Sequence, residues 1–150
     1  DDVLVYTSPV LEEDFEVTGP VVVKLFASSS ARDTDFVARL SDVHGNGRAF
    51  NITEGVVRAR YRAGDWQHPA LLEPGAVCEY TIVLQDTSNV FLKGHRLRLD
   101  ITSSNFPLWD RNLNTGEHPG LGTRIEVARQ TVRHDRTHAS HVVLPVIPNH

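Results

Sequence analysis

Alternation of apolar and polar residues recurs along this chain in short segments, and none of them carries the 3.6-residue period of an amphipathic helix. In one such segment, Leu97, Leu99 and Ile101 would point to one face of a sheet while the residues between them point to the other. Eight segments are predicted as strands, at about 3–7, 21–28, 36–44, 52–62, 77–84, 97–102, 124–134 and 141–146. Turn signals rich in glycine and proline separate them. The sequence therefore predicts an all-β protein, a sandwich or a barrel.

Two predicted strands, at about 21–28 and 77–84, are partly apolar on both faces, as the first of them shows. Val21, Val23 and Leu25 form one row, while Val22 and Phe26 lie in the opposite row. One row would pack in the core, so the other is expected to be covered by a loop or by another domain. Val22 and Phe26 are the residues that we expect to be exposed if nothing covers them.

A row of basic residues is expected on the outer face of another strand. If Val57 and its alternate neighbours point inward, Arg58, Arg60 and Arg62 form a ladder on the outside. Such a ladder is solvated, paired with carboxylates or used to dock a partner domain.

The bulk composition limits the class of protein. With 150 residues, of which 40% are hydrophobic and 23% charged, the chain is long enough for one domain over residues 1–150. The net charge is −4 and the basic residues are dispersed, so no nucleic-acid partner is expected. Cys78 is the one cysteine, which excludes an internal disulfide and fits a cytoplasmic protein. No apolar run approaches the length of a membrane span and no signal segment is recognisable, so no membrane partner is expected.

A long polar segment follows the strand that ends near Thr102. It is dense in Asn, Asp, Thr and Gly, which bond to the neighbouring backbone and tolerate unusual dihedral angles. Pro107 interrupts strand pairing at its start. Long loops that remain ordered tend to carry function, so this segment is the first candidate for a functional surface.

The same segment carries a family resemblance. Its motifs are Ser103-Ser104-Asn105-Phe106-Pro107 and Asp110-Arg111-Asn112-Leu113-Asn114-Thr115-Gly116. Further segments agree in order and spacing, namely Asp2 to Ser8 with Gly19-Pro20-Val21, Asp33-Thr34-Asp35-Phe36, Asp42-Val43-His44 with Gly47-Arg48 and Glu54 to Arg60, and Leu144 to Pro148. Together they resemble the C-terminal domain of the X-prolyl dipeptidyl-peptidase and cocaine-esterase family of serine hydrolases. The resemblance covers nearly the whole chain.

The resemblance implies a fold and a role. Members of this family carry an α/β-hydrolase domain, a helical cap and then an antiparallel, jelly-roll-like β-sandwich similar to galactose-binding domains. The sandwich is non-catalytic, uses no cofactor, packs on the hydrolase domain and helps shape its acyl or peptide pocket. The present chain is thus expected to be an accessory domain whose partner is an α/β-hydrolase domain, in cis or as a separate chain. A homo-oligomer is an open alternative.

The resemblance also assigns an interface. The loop presented to the hydrolase domain would comprise Ser104, Asn105, Phe106, Trp109, Asp110, Arg111, Asn112 and Asn114. Phe106 or Trp109 would serve as an apolar anchor, and Arg111 as a fork that pairs with a carboxylate across the contact. Leu108 departs from the family, which commonly has a basic residue there.

No catalytic residue is expected in this chain. An α/β-hydrolase nucleophile lies on a Gly-x-Ser-x-Gly elbow, and the sequence contains no such motif. Ser103 and Ser104 are interpreted as strand-end residues that satisfy backbone groups. Asp42 and His44, which precede a Gly-Asn-Gly turn, are interpreted as structural residues of a hairpin.

Three other sites remain open from the residues alone. His134, His138 and His141 are weak candidates for a zinc or nickel site, because a hairpin would bring imidazoles together. The pair Asp33 and Asp35 would cap the backbone or bind calcium. Tyr61, Trp66 and Trp109 would form an aromatic platform, as in a stand-alone carbohydrate- or ligand-binding module.

Overall fold

The computed structural model describes residues 2–148. This part of the chain holds eleven strands and a single 3-10 helix at Ala59–Tyr61. The strands are β1 (Val3–Thr7), β2 (Phe15–Gly19), β3 (Val22–Ser29), β4 (Asp35–Val43), β5 (Ala49–Arg58), β6 (Cys78–Val83), β7 (Thr87–Phe91), β8 (Arg96–Thr102), β9 (Gln130–Arg133), β10 (His141–Val143) and β11 (Val146–Ile147).

The strands form three antiparallel sheets. The first has the order β1-β8-β4-β5, the second β10-β3-β6 with β9 also on β3, and the third β11-β2-β7. In the first sheet Leu40 lies opposite Leu99 and Val43 lies opposite Arg96, and a β-bulge shifts the register of β4 against β5 after Leu40. The protein is therefore all-β and antiparallel, as the sequence predicted.

One core joins the sheets. Phe36 and Leu40 of the first sheet, Leu25 and Tyr80 of the second and Val17 of the third belong to a single buried cluster. The alternation predicted for β3 is confirmed, because its odd-numbered residues are fully buried while Val22 and Phe26 are half-buried. The two-layer packing of apolar faces across this cluster is that of a β-sandwich.

A glycine allows two strands to approach closely. A Cβ atom on Gly55 of β5 would fall on the carbonyl oxygen of Val83 and close to the backbone of Leu84. Only glycine leaves room for the backbone there. The contact holds the first sheet against β6, beside the hydrogen bond from Thr53 Oγ1 to Gln85 O at 2.5 Å.

Two sequence-based expectations were wrong in detail. The predicted strand from 124 forms only at Gln130–Arg133, and β2 and β7 were not predicted at all. The basic ladder does not form, since β5 ends at Arg58 and the backbone turns into the 3-10 helix, where Arg60 is buried. None of the helical structure in residues 2–148 has the length and hydropathy of a membrane-spanning segment.

Candidate functional site

The segment between β8 and β9, residues 103–129, is here called the polar loop. The loop has no regular strand or helix among the residues that the structure describes. Buried and half-buried polar groups nevertheless hold it to the sandwich. We call these groups the root of the loop: Asp33, Asp35, Arg58, Arg60 and Asn112. They lie just before and at the start of β4, at the end of β5, in the 3-10 helix and in the loop itself.

Asp35 and Arg58 form the first ion pair of the root. The two residues lie opposite each other in the register of β4 and β5. Arg58 donates from Nε to Asp35 Oδ1 at 2.9 Å and from Nη2 to Asp35 Oδ2 at 3.0 Å. This two-pronged geometry is the strongest arrangement for arginine and carboxylate. The hydrogen bond with Asp35 raises the pKa of the Arg58 guanidinium above its ordinary value, against the opposing effect of burial, so Arg58 stays charged.

Asp33 and Arg60 form the second pair, which is more deeply buried. Asp33 is 1% exposed and Arg60 is 7% exposed. Arg60 donates from Nε to Asp33 Oδ2 at 2.8 Å and from its backbone nitrogen to Asp33 Oδ1 at 3.0 Å. Its Nη2 donates to the carbonyl oxygen of Glu117 at 2.8 Å, which ties the polar loop to the pair.

Asn112 connects both pairs from within the loop. Its Nδ2 donates to Asp33 Oδ2 at 2.9 Å and to Asp35 Oδ1 at 2.8 Å. Its Oδ1 accepts from the backbone nitrogen of Asn114, a residue with a φ of 64°. Asn114 in turn donates from Nδ2 to the carbonyl oxygen of Glu126. The two aspartates thus bind arginine and asparagine donors, an arrangement that leaves their oxygens engaged with cationic and amide groups rather than directed at a calcium ion.

A second anchor lies at the beginning of the loop. Arg39 donates from Nη2 to Asn105 Oδ1 at 3.0 Å and pairs with Glu54 at 2.9 Å. Asn105 donates from Nδ2 to Glu54 Oε2 at 2.9 Å, and its carbonyl oxygen accepts from the backbone nitrogen of Leu108. Asn105 therefore completes a three-residue polar network with two neighbouring strands.

Between the two anchors, an apolar part of the loop faces outward. Phe106 is 67% exposed and Leu108 is 57% exposed, and we call these two residues the crest. Trp109, which the sequence predicted as an alternative anchor, is half-buried. Ser104 and Arg111 are exposed, and Asp110 is exposed while its Oδ1 accepts from Arg58 Nη2 at 3.2 Å.

Apart from the half-buried Trp109, the eight predicted interface residues divide into two groups and one residue between them. Ser104, Phe106 and Arg111 present their side chains to the surface. Asn105, Asn112 and Asn114 turn toward the sandwich or the loop itself, and Asp110 bridges the two groups. The sequence did not predict Asp33, Asp35, Arg58 and Arg60 as partners of this loop, because their contacts with it join parts of the chain that are far apart in sequence.

The aromatic residues considered as a platform lie around one groove. Tyr61, Trp66 and Trp109 line an open groove of about 570 Å³ together with Arg58 and Asp110. The rings of Tyr61 and Trp66 are 4.7 Å apart between centroids and inclined by 34°. Trp66 is 73% exposed, so its ring face is accessible from solvent.

The histidines predicted as a metal site lie near a hairpin but are engaged separately. His134 pairs with Ala139 across the hairpin, and its ring meets the ring of Tyr6 edge-on. The ring of His138 lies against Phe26, and His141 Nδ1 lies 2.7 Å from the carbonyl oxygen of Ala139. The structure therefore does not gather these three imidazoles as ligands of one ion.

Asp135 organises the tip of this hairpin. Its Oδ1 accepts from the hydroxyl and the backbone nitrogen of Thr137 and from the backbone nitrogen of His138. These hydrogen bonds, chiefly the one from the hydroxyl, lower the pKa of Asp135 to about 2. The side chain of Asp135 is exposed to solvent, so the hairpin tip is a solvated turn.

Another group of side chains does come together in the manner of metal ligands. Asp42, His44 and His95 each bring a ligand atom within 4.8 Å of the others, and no further group of this kind occurs in residues 2–148. From the sequence, Asp42 and His44 were predicted as hairpin residues only, and local sequence does not point to the third residue. The link of His95 to these two residues depends on the pairing of β4 with β8.

An apolar cleft of about 480 Å³ opens between the first and second sheets. Leu40, Leu97 and Leu99 line it from one side and Val23 and Leu25 from the other, with Tyr6, His134 and His141 also among its lining residues. Its walls are the inner faces of the sandwich, so the cleft is continuous with the core.

The two serines near the end of β8 form no hydrolase nucleophile site. Ser103 Oγ accepts from Gln130 Nε2 at 3.3 Å, and Ser104 is exposed at the start of the polar loop. The sequence has no Gly-x-Ser-x-Gly elbow to hold a nucleophile. The fold and the loop thus define the class of the chain as a β-sandwich domain distinct from the catalytic domain of an α/β hydrolase.

The chain belongs to the family described as the C-terminal non-catalytic domain of X-Pro dipeptidyl-peptidase, which matches residues 1–143. It is 47% identical to the cocaine esterase of Rhodococcus sp. (strain MB1 Bresler) over 98% of this chain and 26% of that protein. Among solved structures it resembles an aminopeptidase from a marine sediment Thaumarchaeota archaeon, with a TM-score of 0.90, 32% identity and coverage of 98% of this chain and 26% of that one.

A second solved structure, an α-amino acid ester hydrolase, has a TM-score of 0.88 at 29% identity and covers 97% of this chain and 26% of that chain. The resemblance noted from the loop motifs is therefore confirmed. The chain spans about a quarter of the length of the relatives that it matches.

Proposed function

We propose that this chain is the accessory domain of a serine hydrolase, and that it packs through the polar loop on an α/β-hydrolase domain and helps shape that domain's substrate pocket. The hydrolase domain is supplied in cis or by a separate chain. The reaction of the assembled protein is hydrolysis of an acyl ester or of a peptide after an Xaa-Pro dipeptide. The observation that carries this proposal is an exposed apolar crest on a loop that is anchored by buried ion pairs.

The anchoring favours docking because it lowers the cost of association. A loop that has to become ordered on binding loses conformational entropy, which reduces the affinity. Here Asn105 and Asn112 already hold both halves of the loop through bonds of 2.8 to 3.0 Å. The crest is therefore presented in one arrangement before any partner binds.

The crest and its neighbour supply the chemistry of an interface. Phe106 and Leu108 offer adjacent apolar side chains, and buried aromatic anchors carry much of the binding energy in protein contacts. Arg111 is exposed, and it enters none of the ion pairs recorded for residues 2–148. Its planar guanidinium is suited to pair with a carboxylate of the partner.

A chimeric enzyme tests the pocket-shaping role. In this chimera the chain replaces the matching quarter of the Rhodococcus cocaine esterase, and hydrolysis of a p-nitrophenyl ester series is measured. We expect activity, with kcat/KM values across acyl chain lengths that differ from those of the parent enzyme. Unchanged selectivity between substrates would contradict the pocket-shaping role, and the isolated chain should neither turn over the esters nor be labelled by a serine-reactive phosphonate.

A second candidate function is a stand-alone carbohydrate- or ligand-binding module. It is favoured by one observation, the shared groove of Tyr61, Trp66 and Trp109, because sugar rings stack on exposed aromatic faces. Retention on a polysaccharide column that is lost in Trp66→Ala would support this candidate. If the chain is not retained on the column, the carbohydrate-binding candidate is contradicted and the docking role is favoured.

The location and assembly of the protein are also proposals. The single cysteine, Cys78, is free, which fits a reducing cytoplasm. Light scattering on the purified chain would show whether it is a monomer or forms a homo-oligomer through its exposed apolar surfaces.

A further inference from the structure

Strand pairing brings one carboxylate and two imidazoles to the same end of the first sheet. Val43 pairs with Arg96, so the next residues along, His44 and His95, face each other across β4 and β8. Asp42 lies two residues before His44 and thus points to the same face. His95 precedes β8 in a turn whose backbone is fixed by hydrogen bonds with Leu11 and Leu92.

Asp42 is a buried carboxylate on the inward side of this sheet. Its side chain is 9% exposed, and its neighbours on the same row of β4 and β8 are the core residue Leu40 and Leu97, which packs against the core. A buried carboxylate is costly unless it is paired. Within residues 2–148 its side-chain partners are the two imidazoles, at 2.9 Å from His95 Nδ1 to Oδ1 and 3.5 Å from His44 Nε2 to Oδ2.

The three ligand atoms lie within 4.8 Å of one another, so small side-chain rotations bring them around one ion. A tetrahedral zinc ion with ligands at about 2.1 Å keeps neighbouring ligand atoms about 3.4 Å apart. An ion would replace the hydrogen bond of 2.9 Å between His95 Nδ1 and Asp42 Oδ1, so these two atoms would move apart. The imidazole rings are stacked, with centroids 4.2 Å apart and planes inclined by 26°, so a ring has to turn before both nitrogens point at the ion. Nitrogen and carboxylate ligands together suit zinc better than calcium or magnesium.

We propose that Asp42, His44 and His95 form a zinc site, with the fourth ligand supplied by water. The ion would be reached from solvent on the side of His44, whose side chain is 39% exposed, while Asp42 and His95 hold it from the protein side. Since Asp42 and His95 are 53 positions apart in the sequence, a bound ion would join the β4–β5 turn to the turn before β8. This site lies apart from the polar loop and does not depend on the proposed docking role.

Calorimetric titration of zinc into the metal-free chain tests the proposal. We expect one zinc per chain and a rise in the melting temperature, since an ion that binds the folded state stabilises it. In a parallel titration, Co²⁺ should give the visible absorption of a tetrahedral ion with nitrogen and oxygen ligands. His44→Ala, which removes the most exposed ligand, should weaken zinc binding by more than about tenfold.

His68→Ala is the matched control. His68 also contacts an aspartate, with Nδ1 at 2.9 Å from Asp65 Oδ2, but it lies on an exposed loop without a third ligand. Circular dichroism and the melting temperature of the metal-free variants are measured first, to establish that both are folded. Zinc affinity that falls in His44→Ala and stays unchanged in His68→Ala supports the site. A dissociation constant weaker than about 100 µM, or equal affinity in His44→Ala and the unaltered chain, overturns it.

Discussion

The root and the crest of the polar loop differ in both burial and polarity. The root is a buried network in which Asp33 and Arg60 bind each other and the loop backbone at Glu117. The crest, Phe106 and Leu108, is apolar and exposed. The chain thus buries charges at one part of the loop while it leaves hydrophobic side chains in water at another.

This difference separates what the domain needs for its own fold from what it offers to a partner. Buried ion pairs add little net stability, but they require one geometry to satisfy every donor and acceptor. The root therefore gives the loop a defined shape within the sandwich itself. In the isolated chain the exposed crest contributes no favourable free energy of apolar burial. That free energy becomes available when a partner removes the crest from water.

Asp33→Asn should have the largest effect on the root. Because it leaves the guanidinium of Arg60 buried without its charged partner, we expect the free energy of unfolding to fall by about 3–5 kcal/mol. Urea denaturation followed by circular dichroism measures the change. A loss below about 1 kcal/mol would mean that the root does not hold the loop.

Asn105→Ala should weaken the second anchor to a smaller degree. The change removes hydrogen bonds to Arg39 and Glu54 but leaves that ion pair in place, so a loss of about 1–3 kcal/mol is expected. The control is Asn46→Ala in the exposed β4–β5 turn, where one side-chain bond to the backbone of Arg48 is lost. Equal losses in the two variants would show that Asn105 is an ordinary surface residue.

Asp110→Asn tests the boundary between root and crest. Asp110 is exposed, and Arg58 keeps both of its bonds to Asp35 without it. Exposed ion pairs contribute about 0–1 kcal/mol, so the unfolding free energy should change by no more than that. A larger loss of unfolding free energy would mean that Asp110 stabilises the loop as a member of the root.

Phe106→Ala should have the smallest effect on the stability of the isolated chain. Its side chain is 67% exposed, and substitutions at such positions usually change the unfolding free energy by less than about 0.5 kcal/mol. A thermal melt beside the unaltered chain is the measurement. A substantial loss would assign Phe106 to the packing of the loop itself.

The sequence was sufficient for strands with a clear apolar signal. β1, a run of apolar residues, has the predicted bounds, and the inward row of the longer β3 was read correctly from period-2 alternation. The sequence did not predict β2 and β7 because both are short and each has one fully buried apolar residue, Val17 in β2 and Phe91 in β7. Alternation has little signal over five residues.

For the candidate site, the sequence could predict the position of the loop along the chain but not the orientation of its side chains. The family motifs located the polar loop, but they did not show which of its side chains turn inward. Asn112 turns inward because Asp33 and Asp35 lie beneath it, 79 and 77 positions earlier in the chain. The pairing of His95 with Asp42 likewise depends on the register of two strands far apart in sequence. Contacts of this kind arise from tertiary packing, which local patterns do not encode.

The most direct test of the account measures docking in trans. The cocaine esterase of Rhodococcus is prepared without its matching quarter, and the affinity of this chain for the remaining part is measured by calorimetry. We expect binding that Phe106→Ala weakens by about tenfold or more, as for an apolar anchor, while His68→Ala leaves it unchanged. Equal affinity of Phe106→Ala and the unaltered chain would contradict the claim that the crest is the docking surface.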